Sequence, residues 1–198
     1  MEDQSQNFNG VLKKASLGKG LTPEETRCLL ERAGPADWSG LMALAKRLTV
    51  ENFHSKIFLF APLYFSNHCV NDCLYCGFRR SNEQVKRHAL SVEAFVQEAR
   101  ILWERGHRTL LLVAGEHPDH ADARHLGPYL WGLRDAGLDF SVGIEIGPAE
   151  SHDYRFLKDL GVNRCVLYQE TYDPATYRKM HPPGPKTDFD WRYRALSR

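Results

Sequence analysis

Three cysteines fall within eight positions of the chain, in the run Cys69-Val-Asn-Asp-Cys73-Leu-Tyr-Cys76. Cysteine thiolates hold iron–sulfur clusters, and a cubane of four irons takes one ligand for each iron. Three cysteines therefore leave one iron open, and an open coordination position distinguishes a metal site that does chemistry from a structural one. The C-x3-C-x2-C spacing predicts a reactive [4Fe–4S] cluster.

A zinc site is the main alternative for these thiols, and it needs a fourth ligand, usually from a second cysteine or histidine pair. Cys28 and Cys165 are lone cysteines far away in the sequence, where we expect them to act as small apolar residues. A second set of ligand-like side chains comprises His117, His120 and His125. Charged residues lie between these histidines, which favours a solvated loop over a metal site.

The segments that must position the thiols alternate between strand-like and helix-like patterns from residue 57 onward. Apolar runs predict strands at residues 57–65, 109–114, 140–146 and 163–169. Amphipathic patterns with capping residues predict helices at residues 91–106, 122–137, 149–161 and 174–180. Such alternation is typical of a parallel sheet with right-handed crossovers. Sites in these sheets form at the carboxyl ends of the strands, and the cysteine run follows the first strand.

Two prolines fall inside the predicted elements. Pro62 is expected to bend the first strand or to end it early, because proline cannot donate a hydrogen bond to a neighbouring strand. Pro128 is expected to interrupt the helix at residues 122–137 for the same lack of an N–H group.

Residues 1–50 form a predicted helical extension without chemical groups of note, and residues 51–198 form the α/β domain. Thr22 and Pro23 begin one of its helices. A closed barrel takes about 250 residues, whereas the sequence holds only four strand–helix units. We therefore expect a partial (β/α) barrel, truncated after about four units, in a chain that is a fragment of a longer protein.

The cysteine run and four other stretches resemble the radical S-adenosylmethionine (SAM) enzymes, and among them the tyrosine lyases. The stretches are Leu59-Phe-Ala-Pro-Leu-Tyr-Phe-Ser-Asn67, Leu110-Leu-Leu-Val-Ala-Gly-Glu-His117, Tyr168-Gln-Glu-Thr-Tyr172 and Met180-His-Pro-Pro-Gly-Pro-Lys186. This branch comprises the 2-iminoacetate synthase of thiazole biosynthesis and the maturase of [FeFe]-hydrogenase. The resemblance extends from about Leu41 to the last residue, and it implies a radical SAM barrel, a [4Fe–4S] cluster and SAM as cofactors.

The resemblance also implies a reaction. An electron from the cluster cleaves SAM to methionine and a 5′-deoxyadenosyl radical, which abstracts hydrogen from the amine of L-tyrosine. Cleavage between Cα and Cβ then yields p-cresol and dehydroglycine. The implied partners are this small substrate and an electron donor such as ferredoxin or flavodoxin. Residues that bind the substrate belong to later strands in such barrels, so we expect this chain by itself to be inactive.

Three positions near the first two strands are assigned to SAM by this resemblance. Tyr75 corresponds to the aromatic residue that lies beside the adenine, and Gly115 and Glu116 to the motif that contacts the amino group. The physical chemistry agrees, because a carboxylate at a strand end can accept charge-assisted hydrogen bonds from an ammonium group. Glycine at residue 115 lets the backbone approach closely.

Other polar residues lie near the third and fourth strands. Gln169 and Glu170 are expected at the end of the fourth strand, where the resemblance implies contact with the ribose or carboxylate of SAM. Glu145 is a further candidate for the same pocket, unless it faces outward on the alternate side of the sheet. His181 and Lys186 belong to a proline-rich turn that either faces the substrate or is structural.

Several alternatives stay open at this point. The thiazole and hydrogenase-maturation branches are not separated by this sequence. A different radical SAM reaction, such as sulfur insertion of the biotin-synthase type, would use the same cysteines. A metal-binding or interaction module without turnover is the remaining possibility.

The bulk composition excludes some partner classes. Twenty-six basic and twenty-five acidic residues give a net charge of +1, so we expect no nucleic-acid partner. No apolar run approaches the roughly 20 residues needed to cross a bilayer, so we expect no membrane partner. The five cysteines have no paired spacing, which favours reduced thiols and a cytoplasmic location.

Overall fold

The computed structural model describes residues 8–198, and the chain divides into two compact units, Met1–Phe58 and Leu59–Arg198. The described part of the first unit is helical: α1 spans Phe8–Ser16, α2 spans Pro23–Arg32 and α3 spans Pro35–Phe53. The division predicted at residue 50 stays a prediction, and the first seven residues of the predicted extension lie outside the described residues.

Helix α2 begins at the predicted capping residues. The Thr22 hydroxyl accepts a hydrogen bond from the Glu25 backbone N–H at 3.2 Å, and the Glu25 carboxylate accepts one from the Thr22 backbone N–H at 2.7 Å. This reciprocal arrangement is a capping box, and Pro23 occupies the first turn. The carboxylate also pairs with Lys14 of α1 at 2.7 Å. The hydrogen bond from Lys14 is the largest cause that lowers the pKa of Glu25, and the hydrogen bond from the Thr22 backbone lowers it further.

The first unit has a small core of Val11, Cys28 and Leu29, against which Leu41 packs. Helix α3 forms where the apolar spacing predicts it, but none of its residues is fully buried. Its half-buried apolar residues, Leu41, Leu44 and Leu48, recur at the spacing of one helix face, whereas Trp38 is exposed.

The second unit contains a parallel sheet with helical crossovers. Its strands are β1 (Ala61–Ser66), β2 (Thr109–Ala114), β3 (Ser141–Glu145) and β4 (Val162–Cys165), and they lie in the order β1-β2-β3-β4. Its helices are α4 (Val92–Glu104), α5 (Ala123–Asp135), α6 (Ser151–Asp159), α7 (Pro174–Met180) and α8 (Phe189–Tyr193). Within the described residues this sheet is open, which confirms the predicted α/β partial barrel.

An apolar layer joins the sheet to helices α4, α5 and α6. Alternate residues of the strands face these helices, because successive side chains of a strand point to opposite sides. Among the layer's fully buried members are Phe65, Phe95, Leu110, Leu112 and Leu126. Because the strands are all parallel, the carboxyl ends of the four lie at one edge of the sheet.

Strands β1 and β4 differ most from their predicted bounds. Strand β1 begins at Ala61 and continues through Pro62, whereas residues 57–60 precede it and are exposed. Pro62 does not end the strand, because β1 lies at the edge of the sheet, where proline's missing N–H is tolerated. Strand β4 ends at Cys165, so Gln169 and Glu170 lie in the following loop and not at the strand end.

The helix caps of the second unit agree with the sequence more closely. Ser91 caps α4 by accepting a hydrogen bond from the Ala94 backbone N–H at 3.2 Å.

Helix α5 runs through Pro128, contrary to the predicted interruption. The burial of Leu126 and Tyr129 on either side of Pro128 offsets the missing backbone hydrogen bond. No helix within residues 8–198 has both the length and the apolar character to cross a membrane.

Candidate functional site

The cysteine loop follows β1 at the carboxyl edge of the sheet. Cys73 is buried and Cys69 and Cys76 are half-buried. Burial raises the pKa of the Cys73 thiol, so this thiol is protonated at neutral pH in the metal-free chain. A metal that binds here must displace that proton, since thiolates and not thiols are the ligands.

One cavity of about 260 Å³ collects most of the predicted site residues. Those that line it are Cys69, Cys73, Tyr75, Cys76, Gly115, Glu116, Glu145 and Glu170. Gln169 is not among the lining residues, and its side-chain Nε2 is buried without a hydrogen-bond partner. The structure therefore brings eight of the nine predicted positions together; their roles in binding stay predictions.

The sheet register explains why Glu145 lies in this cavity. Tyr64, Val113 and Glu145 are aligned across β1, β2 and β3 as successive Cα partners. All three line the cavity, on the face of the sheet opposite to the apolar layer. Burial, and next the charge of Glu170, raise the pKa of Glu145. The alternative in which Glu145 faces away from the pocket is excluded.

Gly115 allows the cysteine loop to lie directly against the end of β2. A Cβ atom at this position would collide with the backbone oxygen of His68 and would lie 3.0 Å from the Cβ of Cys69. The Val70 backbone N–H donates to the Glu116 carbonyl at 2.8 Å, which fastens the loop at the next residue. The close approach predicted for Gly115 thus serves the loop backbone.

Glu116 forms an ion pair that the sequence did not predict. Arg192 of α8 donates from Nη2 to Glu116 Oε1, and from Nη1 to the Tyr168 carbonyl at 3.2 Å. The Arg192 side chain is 3% exposed, and its Nε has no partner. Because 76 positions separate the two residues, no local spacing could have indicated this pair.

A second set of polar contacts in the site involves Tyr75 and His181. The Tyr75 hydroxyl lies 2.6 Å from Nε2 of His181, whose Nδ1 lies 2.7 Å from the Tyr177 carbonyl. A carbonyl only accepts, so Nδ1 carries the proton and the Tyr75 hydroxyl donates to Nε2. Burial lowers the pKa of His181, despite the opposing hydrogen bond to Tyr177, and the ring is neutral. Burial, followed by the charge of Cys73, raises the pKa of Tyr75.

Lys186 lies beside the same ring. Its Nζ is 2.9 Å from Glu170 Oε1 and 5.8 Å from the centroid of the Tyr75 ring. Burial by itself raises the pKa of Glu170, but the hydrogen bond and charge of Lys186 outweigh burial and leave that pKa below its usual value. The proline-rich turn thus places Lys186 at the cavity and His181 against the Tyr75 hydroxyl.

The histidines with ligand-like spacing do not form a metal site. His68 and His120 lie with ring centroids 4.0 Å apart, and His117 and His120 are 4.7 Å apart. His125 instead pairs with Asp122 at the start of α5. Within residues 8–198, no group of three or more histidine, cysteine or acidic side chains is arranged to hold one metal ion.

The three cysteines of the loop can be compared with the ligand requirements of zinc and of an iron–sulfur cluster. A single zinc ion requires ligands that converge on one point, which the described residues do not provide. A cubane takes one thiolate at each of three irons, so its ligands stand apart around a larger group. The three thiols line one cavity with no further cysteine or histidine among its lining residues, and this number of thiols fits a [4Fe–4S] cluster with one open iron.

Comparison with known families agrees with this geometry. The sequence profile of the radical SAM superfamily matches residues 63–198. The chain belongs to the radical SAM superfamily. Radical SAM proteins use a [4Fe–4S] cluster and SAM, as the sequence predicted. The matched residues include the whole parallel sheet apart from the start of β1.

The alignments with individual relatives extend over most of this radical SAM chain. It is 36% identical over 181 residues to the 2-iminoacetate synthase of Escherichia coli (strain K12), which corresponds to 91% of this chain and 47% of the relative. It is 30% identical over 156 residues to the [FeFe] hydrogenase maturase subunit HydE of Thermotoga maritima, with 79% and 43% covered. The chain thus spans about half the length of these curated relatives.

A solved structure gives the same result for the fold. HydG, a maturase of the [FeFe]-hydrogenase, superimposes with a TM-score of 0.90 at 35% sequence identity. The match covers 99% of this chain and 44% of HydG. The predicted resemblance to 2-iminoacetate synthase and to the hydrogenase maturase is therefore confirmed.

Proposed function

We propose that Cys69, Cys73 and Cys76 hold a [4Fe–4S] cluster and that SAM binds beside it in the same cavity. The observation that carries this proposal is the placement of three thiols and the Glu116 carboxylate around one cavity at the carboxyl edge. The two groups that SAM must engage, an open iron and a carboxylate that accepts a hydrogen bond from its amino group, would then lie on one side of the sheet.

Glu116 and Arg192 are suited to the amino-acid part of SAM. In the ligand-free chain they neutralise each other, and Arg192 is almost fully buried. The amino and carboxylate groups of SAM would bind the open iron, with an amino N–H donating to Glu116 and Arg192 donating to the carboxylate. The partnerless Nε of Arg192 supports this assignment, because a buried N–H without an acceptor is costly until a ligand supplies one.

The remaining cavity residues form the walls for the nucleoside. Tyr64, Phe78 and Val113 provide apolar surface that excludes water, and Tyr75 offers an aromatic ring for the adenine. Glu170 supplies a carboxylate for the ribose hydroxyls. Gln169, whose amide is buried outside this cavity, is not needed for the proposal.

When bound, the cluster and SAM supply reductive cleavage of SAM to a 5′-deoxyadenosyl radical. We further propose that this chemistry serves a tyrosine lyase, which cleaves L-tyrosine between Cα and Cβ to p-cresol and dehydroglycine, with ferredoxin or flavodoxin as electron donor. The similarity to 2-iminoacetate synthase supports this class. The similarity to HydG keeps hydrogenase maturation open beside thiazole synthesis.

Iron and sulfide analysis after anaerobic reconstitution tests the cluster. We expect about four irons and four sulfides per chain, and a loss of both in Cys69→Ala, Cys73→Ala and Cys76→Ala. Cys165→Ser is the matched control, because this half-buried cysteine lies in β4 and does not line the cavity. One bound zinc per chain, or full iron in the three alanine variants, would exclude the proposal.

Isothermal titration of SAM into the reconstituted chain tests the second cofactor. Glu116→Gln and Arg192→Met should each weaken SAM binding about tenfold or more while the iron content stays unchanged. The exposed Arg194 is a matched control, and Arg194→Met should bind SAM like the wild type. Unaltered affinity in both test variants would show that the ligand binds elsewhere.

Product analysis tests the proposed substrate. The reconstituted chain is incubated with dithionite and SAM, with and without L-tyrosine, and 5′-deoxyadenosine and p-cresol are measured. Formation of p-cresol would confirm tyrosine cleavage and would overturn the expected inactivity of this length of chain. Formation of 5′-deoxyadenosine that does not respond to tyrosine would favour another radical SAM reaction.

A further inference from the structure

Asn71 lies inside the cysteine loop and is buried, although the cysteine pattern gives it no role. It is 2% exposed, and both ends of its side-chain amide are used. Nδ2 donates to Glu116 Oε2 at 2.8 Å, and Oδ1 accepts from the Lys186 backbone N–H at 2.7 Å. One side chain thus joins the cysteine loop, the end of β2 and the proline-rich turn.

The turn holds the Asn71 amide in one orientation. The Lys186 backbone N–H can only donate, so the oxygen of the amide must face it and the NH₂ group must face Glu116. Gly184 makes this contact possible, since a Cβ at this residue would lie 2.8 Å from Asn71 Oδ1 and 3.0 Å from its Cα. The donor that points at Glu116 is therefore set by a segment more than 100 positions away.

Glu116 is in turn held at both carboxylate oxygens. Oε2 accepts from Asn71, and Oε1 accepts from Arg192. Each oxygen can accept a further donor, so a ligand amino group can join or replace Arg192 at the carboxylate while the bond to Asn71 remains. Asn71 is thus the contact that keeps the carboxylate oriented during an exchange of its other partner.

We propose that Asn71 is a positioning residue for SAM binding, which acts by fixing the Glu116 carboxylate toward the cavity. This inference rests on the proposed function, since it assigns Asn71 to the step in which Glu116 accepts a hydrogen bond from the amino group of SAM. It also links the proline-rich turn to the site, because that turn orients the amide of Asn71.

Asn71→Asp is the sharpest variant. Aspartate has the same shape and still accepts the Lys186 N–H, but it donates nothing to Glu116 and places a second negative charge against it. We expect unchanged iron content and SAM affinity weakened about tenfold or more, measured by titration of SAM into the reconstituted full chain. Asn67→Asp is the matched control, because Asn67 bonds the backbone of Lys86 and His88 and does not contact Glu116.

A double-mutant cycle with Glu116→Gln separates positioning from a purely structural role. In Asn71→Asp/Glu116→Gln the hydrogen bond re-forms with donor and acceptor exchanged. Asn71→Asp should therefore cost much less affinity when it is introduced into the Glu116→Gln variant than into the wild type. Equal losses in the two backgrounds would overturn the proposal, because Asn71 would then act independently of Glu116.

The outcomes separate this inference from the proposed function. A reconstituted wild type that does not bind SAM defeats the proposed function itself. Wild-type affinity in Asn71→Asp defeats only the role of Asn71. If Asn71→Asp loses iron, Asn71→Ala is reconstituted, which removes the amide without adding charge. Retained iron with weakened SAM binding supports the proposal, whereas retained iron with full affinity, or loss of iron in both variants, overturns it.

Discussion

Phe95 and Leu112 lie in the apolar layer of the second unit, whereas Asn71 and Glu116 lie at its carboxyl edge. Contacts in the apolar layer are non-directional, and many combinations of apolar side chains would fill the same space. Contacts at the edge are single donor–acceptor pairs, in which one changed atom leaves a buried group without a partner. The layer therefore sets the free energy of unfolding, and the edge sets what the protein can bind.

The largest expected effect is on the layer. Phe95 is fully buried in α4 and its ring lies 4.8 Å from that of Tyr129. Phe95→Ala should lower the free energy of unfolding by about 3–5 kcal/mol in urea denaturation, because it leaves a cavity that the layer cannot fill. Ile101→Ala on the same helix is the control, since Ile101 is 44% exposed and should cost less than about 1 kcal/mol. Equal losses would show that α4 is not packed as described.

A smaller loss of stability, together with a loss of iron binding, is expected at Gly115, which follows β2 at the carboxyl edge. Gly115→Ala places a methyl group against the backbone of His68, so the cysteine loop must shift. We expect a loss of about 1–3 kcal/mol in the free energy of unfolding and a lower iron content after reconstitution. Gly77→Ala is the matched control, because nothing lies within 4 Å of a Cβ at that position in the same loop. Full iron content in Gly115→Ala would contradict the close approach.

The smallest effect is expected at the ion pair between Lys186 and Glu170. Lys186 keeps the pKa of Glu170 low against the effect of burial, so the pair stabilises the fold above the ordinary glutamate pKa of about 4.5 and loses this effect as the pH falls through the lowered value. Lys186→Met should therefore cost about 1 kcal/mol near pH 7 and progressively less below pH 4.5, in urea denaturation of the metal-free chain.

The exposed Lys179 of α7 provides the control for this pH dependence. Lys179→Met should change stability little at either pH. The hydrogen bond from the Lys186 backbone to Asn71 is retained in Lys186→Met, so the comparison isolates the side chain. A cost of Lys186→Met that stays constant from pH 7 to pH 3 would show that the ion pair with Glu170 is not its source.

The apolar layer was largely predictable from the sequence. Strand β2 has the predicted bounds, and Ser91 caps α4 as its position indicates. Periodicity carries such information because the layer requires only residues of the right class at the right spacing. It failed for β4, where the apolar run continues to Gln169 but the strand ends at Cys165, beside an irregular register with β3.

The edge was predictable only in part. The cysteines and Glu116 follow from a local motif and a strand end, and the structure gathers them in one cavity. Arg192 and Asn71 could not be predicted, because their partners lie 76 and 45 positions away and their residue types are common on any surface. Such pairings depend on the tertiary fold, and no spacing rule within one segment contains them.

EPR spectroscopy of the anaerobically reconstituted and reduced chain, before and after SAM is added, tests the proposed cluster and its open iron together. We expect a [4Fe–4S]⁺ signal that changes when SAM occupies the open iron, and no such signal in Cys69→Ala, Cys73→Ala or Cys76→Ala. An EPR-silent protein loaded with zinc, or a cluster signal that is indifferent to SAM, would contradict the proposal.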